Sequence, residues 1–290
     1  ALRRYRSLAG MEGDGTVLRS LATEAPGESA TVNQELRLSS STDRLNWILG
    51  TNYQHDDTHD SLIYDAGQSS NVIGWDRDIN FSNQKMETYS IFANADYKLT
   101  DSLSVVGGVR YTNAKRSYNG CSLGDAGLAG IYNFVAQLFH PGAPSIDAGE
   151  CVTLNEDYSP AGLIYNNLNE DNVSWRLGAN YKVTQDTLLY ASVSRGYKAG
   201  SFPTLAASQT PQTLPVVQED LIAYEGGFKA RIARGFSLDG AVFYYDYTNK
   251  QVRGKIVDFL FGVGRRDAQK DHDAFIDLAE SLAIGGDGGL

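Results

Sequence analysis

From Glu87 to Tyr111 apolar and polar residues alternate with a period of two through two successive runs. Tyr89, Ile91, Ala93, Ala95 and Tyr97 share one face, while Thr88, Ser90, Asn94, Asp96 and Lys98 share the other, with Phe92 alone out of place. After Thr100-Asp101-Ser102 the pattern resumes as Leu103, Val105, Gly107, Val109 and Tyr111 against Ser102, Ser104, Arg110 and Thr112. Successive side chains of a strand point to opposite faces, so each run predicts a strand with one apolar and one polar side, joined by a tight turn.

The same unit recurs. Leu45, Trp47, Leu49, Thr51 and Tyr53 alternate with Asn46, Gly50, Asn52 and Gln54, and Val173, Trp175, Leu177, Ala179 and Tyr181 alternate with Asn172, Ser174, Arg176, Asn180 and Lys182. Further runs occupy 188–197, 222–232 and 236–247, with weaker ones at 31–39 and 250–258. This predicts roughly nine or ten strands, each of about the 9–11 residues that a tilted transmembrane strand needs. Connections alternate between short (40–44, 99–102, 183–186, 233–235) and long (55–86, 114–171, 198–220). Outer-membrane barrels alternate in this way because periplasmic turns are short and surface loops carry function.

The apolar faces are bracketed by Tyr89, Tyr97, Tyr111, Trp175 and Tyr181, which are expected to form a membrane girdle, since a phenol ring sits in hydrocarbon while its hydroxyl reaches headgroups. Tyr89 and Tyr97 are about eight residues apart, or roughly 20 Å on a strand tilted by about 40°, close to the ~25 Å apolar band of such barrels. The predicted fold is all-β: an antiparallel up-and-down transmembrane β-barrel. Its tyrosine face should be convex and lipid-facing. Asn94, Asp96, Arg110, Arg176, Asn180 and Lys182 point to a wide lumen, so a partial barrel is expected: an open, curved sheet with edges near 1–6 or 31–39 and near 250–258.

Composition narrows the classes. The 290 residues are 42% hydrophobic, and no stretch approaches the ~18 apolar residues of a membrane helix. A helical membrane protein is excluded and a barrel is not, because its lipid face uses only every second residue. A net charge of −10 argues against a nucleic-acid partner. Ala1-Leu2-Arg3-Arg4-Tyr5-Arg6 reads as strand interior and not as a leader peptide. Residues 263–290 lose the alternation and are expected to form a non-barrel tail, helical or disordered, after a barrel region spanning 1–262.

Cys121 and Cys151 lie in one long polar segment and form a disulfide candidate for an oxidising compartment; free thiols are the alternative. Between them Leu128, Ile131, Val135, Leu138 and Phe139 recur at helical spacing before His140-Pro141-Gly142. His55, Asp57 and His59 are the best metal-like cluster, although a polar loop mouth would look the same, and no metal or cofactor is expected. Arg195 falls at the outer end of an apolar face, placed to snorkel to lipid phosphates, and Tyr197 and Phe202 open a loop that could touch ligand. The acidic long loops make lipopolysaccharide, bridged by divalent cations, a reasonable partner beside outer-membrane lipid. Four histidines without a convincing serine partner argue against an enzyme.

The phrase YASVSRGYKAGSF at 190–202, then PVVQE at 215–219 and YEGGFK at 224–229, resembles the barrel of TonB-dependent outer-membrane receptors. So do QELRL at 34–38 and DGAVFYYDYTNKQVRGK at 239–255. The resemblance implies a bacterial outer-membrane receptor that imports a scarce, bulky ligand such as a ferric siderophore, powered through the TonB complex, with a plug inside a roughly 22-stranded barrel. Neither plug nor TonB box is recognisable and about half the strands are present, so the expectation is a barrel fragment. A passive porin and a surface adhesin or structural β-protein are the alternatives.

Overall fold

The computed structural model describes residues 2–12, 21–69, 73–203, 207–234 and 236–252. Among the described residues nine strands form one sheet in sequential order: β1 Leu2–Glu12, β2 Ala22–Ser41, β3 Leu45–Asp65, β4 Arg77–Lys98, β5 Leu103–Gly124, β6 Ile164–Lys182, β7 Thr187–Lys198, β8 Glu219–Ala233 and β9 Phe236–Thr248. Every pairing is antiparallel and between chain neighbours. Among the described residues β1 and β9 do not pair, so the sheet is unclosed. The fold is the up-and-down β-architecture that alternation implies, without crossovers.

Three short turns share one device. Thr42, Thr100 and Thr184 each receive backbone N–H groups on their hydroxyls, from Leu45 at 3.0 Å, from Leu103 at 3.0 Å and from Asp186 at 3.2 Å. A hydroxyl that accepts from the chain two or three residues on fixes a tight reversal, which explains why threonine ends each of these strand pairs.

Several strands are much longer than expected. β3 has 21 residues and β4 and β5 have 22 each, so the regions read as loops at 55–86 and 114–171 contain strand up to Asp65 and Gly124 and again from Arg77 and Ile164. Pairing continues there as His55↔Glu87 and Asp57↔Lys85. On these extensions polar residues predominate on both faces, so the alternation of hydropathy fades while the backbone ladder runs on. From Tyr111 to Gly124, about 13 residues at about 3.3 Å and a 40° tilt, the wall rises roughly 33 Å past the aromatic level. The strand expected at 250–258 is not formed at 250–252, and its remainder, like the tail at 263–290, lies outside the described residues.

Burial runs opposite to that of a water-soluble sheet. Ile91 and Leu177 are 56% and 57% exposed, and Tyr89, Tyr97, Tyr111, Trp175 and Tyr181 are all exposed on the same face. On the opposite face Asn52, Ser82 and Ser90 are buried. Apolar side chains aligned outward and polar ones interlocked inward require a solvent of hydrocarbon on the first face.

Candidate ligand face and its outer cap

The buried apolar clusters of the described residues lie in and beside the connections at the outer ends of the strands. After β5 the chain enters helix α1, Ala126–Phe139. Asp125 caps it: one carboxylate oxygen accepts the Leu128 N–H at 2.9 Å, and the other accepts Asp76 and Arg77 N–H at 2.6 and 2.9 Å. Burial opposes this charge. The backbone N–H groups of Leu128, Asp76, Arg77 and Gly127 outweigh that effect and hold the carboxyl below its usual range. One side chain thus fixes both the helix start and the base of β4. The helix sits so close to the β3–β4 connection that a Cβ on Gly127 would meet the Gly74 carbonyl at 2.1 Å.

The helix buries Leu128, Ala129 and Ala136 against Ala143, Ile146, Val152 and Leu154, edged by Trp75, Tyr132, Val135 and Tyr158. Cys121 and Cys151 are bonded, with Cα atoms 5.7 Å apart. Beside the bond the returning chain pairs onto β5, with Val152 N–H donating to Ser122 O at 2.8 Å. Burial raises the Tyr132 phenol, whose hydroxyl meets the Ser208 hydroxyl at 3.0 Å.

The β7–β8 connection folds onto the polar face. Glu170 clasps both of its ends, accepting Gly200 N–H at 2.9 Å and Gln218 N–H at 2.6 Å, and Ser201 and Val216 exchange backbone bonds just beyond. Phe202 stacks on Tyr118 with ring centroids 5.0 Å apart, and both are buried with Ile164. Ser122 bonds Asn80, and Thr153 Oγ1 donates to Ala207 O at 2.9 Å. Tyr118, Asn80 and Ser82 belong to the polar face by parity, so this connection roofs its outer end.

Below the roof the polar face is a hydrogen-bonded network. Thr31 and Gln54 both donate to Asp56 at 2.7 Å, Asn33 donates to Gln54 at 3.1 Å, and Asn52 donates to Asn33 at 3.2 Å. Further down lies a hollow of about 380 Å³ bordered by Glu35, Arg37, Phe92, Asn94, Arg110 and Arg176.

The residues singled out from sequence fall apart into separate places. His55, Asp57 and His59 share the outward parity above the aromatic level. His55 lies 3.6 Å from Glu87, and His59 lies 3.4 Å from Asp57 and 2.7 Å from Asn83. No three His, Cys, Asp or Glu side chains converge as a metal site among the described residues. Tyr197 lies on the outward face beneath the Arg195 guanidinium, 5.1 Å away, whereas Phe202 is buried on the other side, so the structure does not bring these two together. Arg195, at the outer end of the outward face, donates to Asp220 at 2.8 Å, a carboxylate 25 residues on in the paired strand that parity alone does not reveal. Glu170 and Asp125 were not legible, because both act on backbone groups brought near only by folding. For Arg110 the signal was present in the misplaced Phe92.

The family model described as TonB dependent receptor-like, beta-barrel, matches residues 4–271. The pesticin receptor of Yersinia enterocolitica is 26% identical over 186 residues, covering 63% of this chain and 22% of the receptor. Among solved structures, the ferric yersiniabactin uptake receptor of Yersinia pestis superposes with a TM-score of 0.59 at 23% identity, covering 80% of this chain and 31% of the receptor. The siderophore receptor PiuA of Acinetobacter baumannii gives 0.52 at 14% identity, covering 83% and 36%. The chain therefore spans about a fifth of the length of the curated relatives it matches. An unclosed meander with its apolar side outward, matched by the family model over most of its length, establishes that this chain belongs to the TonB-dependent receptors and forms part of their β-barrel in the Gram-negative outer membrane.

Proposed function

We propose that the protein carrying this sheet is an energised uptake receptor for a scarce ligand of the ferric-siderophore class. It captures the ligand at the cell surface and passes it through the lumen, with the TonB complex supplying energy. The observation that carries this reading is the roof: the β7–β8 connection, clasped by Glu170, closes over the outer end of the polar face. The names of the pesticin receptor and the ferric yersiniabactin uptake receptor support the ligand class. Tyr89, Tyr97, Tyr111, Trp175 and Tyr181 form the lipid girdle, and lipopolysaccharide surrounds the polar strand extensions. No enzymatic step belongs to this function.

The test is uptake of radiolabelled iron, offered as a panel of ferric siderophores, by iron-starved cells with the gene intact, deleted or restored. Accumulation of at least one chelate should fall to background on deletion and also when TonB is removed. Uptake indifferent to TonB would transfer the protein to the porins. An unchanged deletion strain across the panel would reject the ligand class.

A further inference from the structure

Phe92 is the only aromatic residue on the polar face of β4. It stands opposite Gly50 on one side and Arg110 on the other. A Cβ on Gly50 would lie 2.3 Å from the Phe92 ring, so the ring occupies the space that the glycine leaves. The Arg110 guanidinium lies over that ring, 5.4 Å from its centroid, and donates to the hydroxyls of Ser90 at 2.6 Å and Thr112 at 3.3 Å. An arginine stacked on an aromatic ring and bonded to two hydroxyls is held in place before any partner arrives.

Arg176 is a diagonal neighbour of Arg110. It pairs in register with Gly108, while Arg110 pairs with Ser174. A Cβ on Gly108 would collide with Asn94 Oδ1 at 2.2 Å, so glycine keeps the floor between the two arginines low. Arg37 stands at the far rim and is already paired with Glu35. Among the described residues neither Arg110 nor Arg176 has a carboxylate partner. Two unneutralised guanidinium groups facing one hollow stand out in a chain whose net charge is −10.

We propose that this hollow is a carboxylate-binding site on the barrel wall, in which Arg110, oriented by Phe92, and Arg176 receive one carboxylate group. The planar fork of a guanidinium matches the two oxygens of a carboxylate, and two forks on adjacent strands can grip it from both sides. The carboxylate comes either from a diffusible acid in the lumen or from an acidic side chain of a polypeptide segment filling it. The site rests on the reading of the polar face as luminal and is independent of which ligand the receptor imports.

The experiment is protection from phenylglyoxal, an arginine-specific reagent, on the gene's complete product in outer-membrane vesicles. Modification is mapped by mass spectrometry, with citrate as the probe and exposed Arg44 as the internal reference. Arg110 and Arg176 that react freely without citrate and are protected at least tenfold by it identify a diffusible acid. Protection that is already present and is relieved by 1 M NaCl identifies the protein's own carboxylate. Reaction at the rate of Arg44 regardless of citrate overturns the proposal, and so does protection indifferent to both citrate and salt, which is plain burial. Phe92→Ala should weaken protection at Arg110 about tenfold while Phe92→Tyr retains it, with both variants first checked for native heat-modifiable migration. Because the readout is chemical, failure of siderophore uptake and failure of this site remain separate results.

Discussion

The membrane belt of the sheet and the cap on its outer end use the same apolar residue types in opposite ways. In the belt, Ile91, Val109 and Leu177 face outward and bury little against one another; in the cap, Val152 and Leu154 are sealed at 0% and 2% exposure. The cap has the core of a small water-soluble domain, driven by removal of apolar surface from water. The belt has no such core. Its order comes from continuous antiparallel backbone pairing, in which each N–H and C=O is satisfied between strands as hydrocarbon demands. A single chain therefore carries two stabilising regimes about 40 Å apart along the same strands, and perturbations should sort cleanly between them.

The largest separation should come from the Cys121–Cys151 bond. Replacing both cysteines by serine frees a loop of about 30 residues, worth roughly 3–4 kcal/mol in the chain-entropy account. The cap should become sensitive to protease within 125–163, while heat-modifiable migration of the belt stays unchanged. Loss of both together would mean that the two regions fold as one.

Ala93→Arg places a charge midway between Tyr89 and Tyr97 on the outward face and should cost about 2–4 kcal/mol, read as a lower urea midpoint in lipid vesicles. Ser104→Gln, on the polar face, should stay within about 0.5 kcal/mol. Equal costs for the two would erase the sidedness that defines the belt.

Asp125 gives the smallest and most specific effect. Asp125→Ala should destabilise the cap by about 1 kcal/mol through loss of the N-cap. Because the folded-state carboxyl is held below its usual value, its contribution is complete above the unfolded pKa of about 4 and is lost as pH falls through the folded pKa beneath it. Protease sensitivity of α1 should therefore rise on acidification below about pH 4 in the parent and respond less in Asp125→Ala. An identical acid response in both would assign the effect to other carboxylates.

The belt was legible in the sequence because a lipid face and a water face impose a period of two that can be counted, as in Tyr89–Tyr97 and Val173–Tyr181. The helix at Leu128–Phe139 was legible for the same reason at its own period. The strand extensions to Asp65 and Gly124 were not, since polar residues on both faces remove the contrast that periodicity measures. Contacts that run from side chain to distant backbone, such as Glu170 to Gly200 and Gln218, leave no local trace at all. Arg195 shows the same limit from another side: parity located it on the outward face, but its partner Asp220 came from strand register.

Nine is an odd number, and in a meander that has a geometric consequence. β1 and β9 point the same way, so bringing the two edges together would create a parallel seam in an otherwise antiparallel wall. A cylinder in which every seam is antiparallel has an even count of staves, as single-chain bacterial outer-membrane barrels do. A closed wall with antiparallel seams throughout, built on these nine described strands, would therefore draw on an odd number of additional strands.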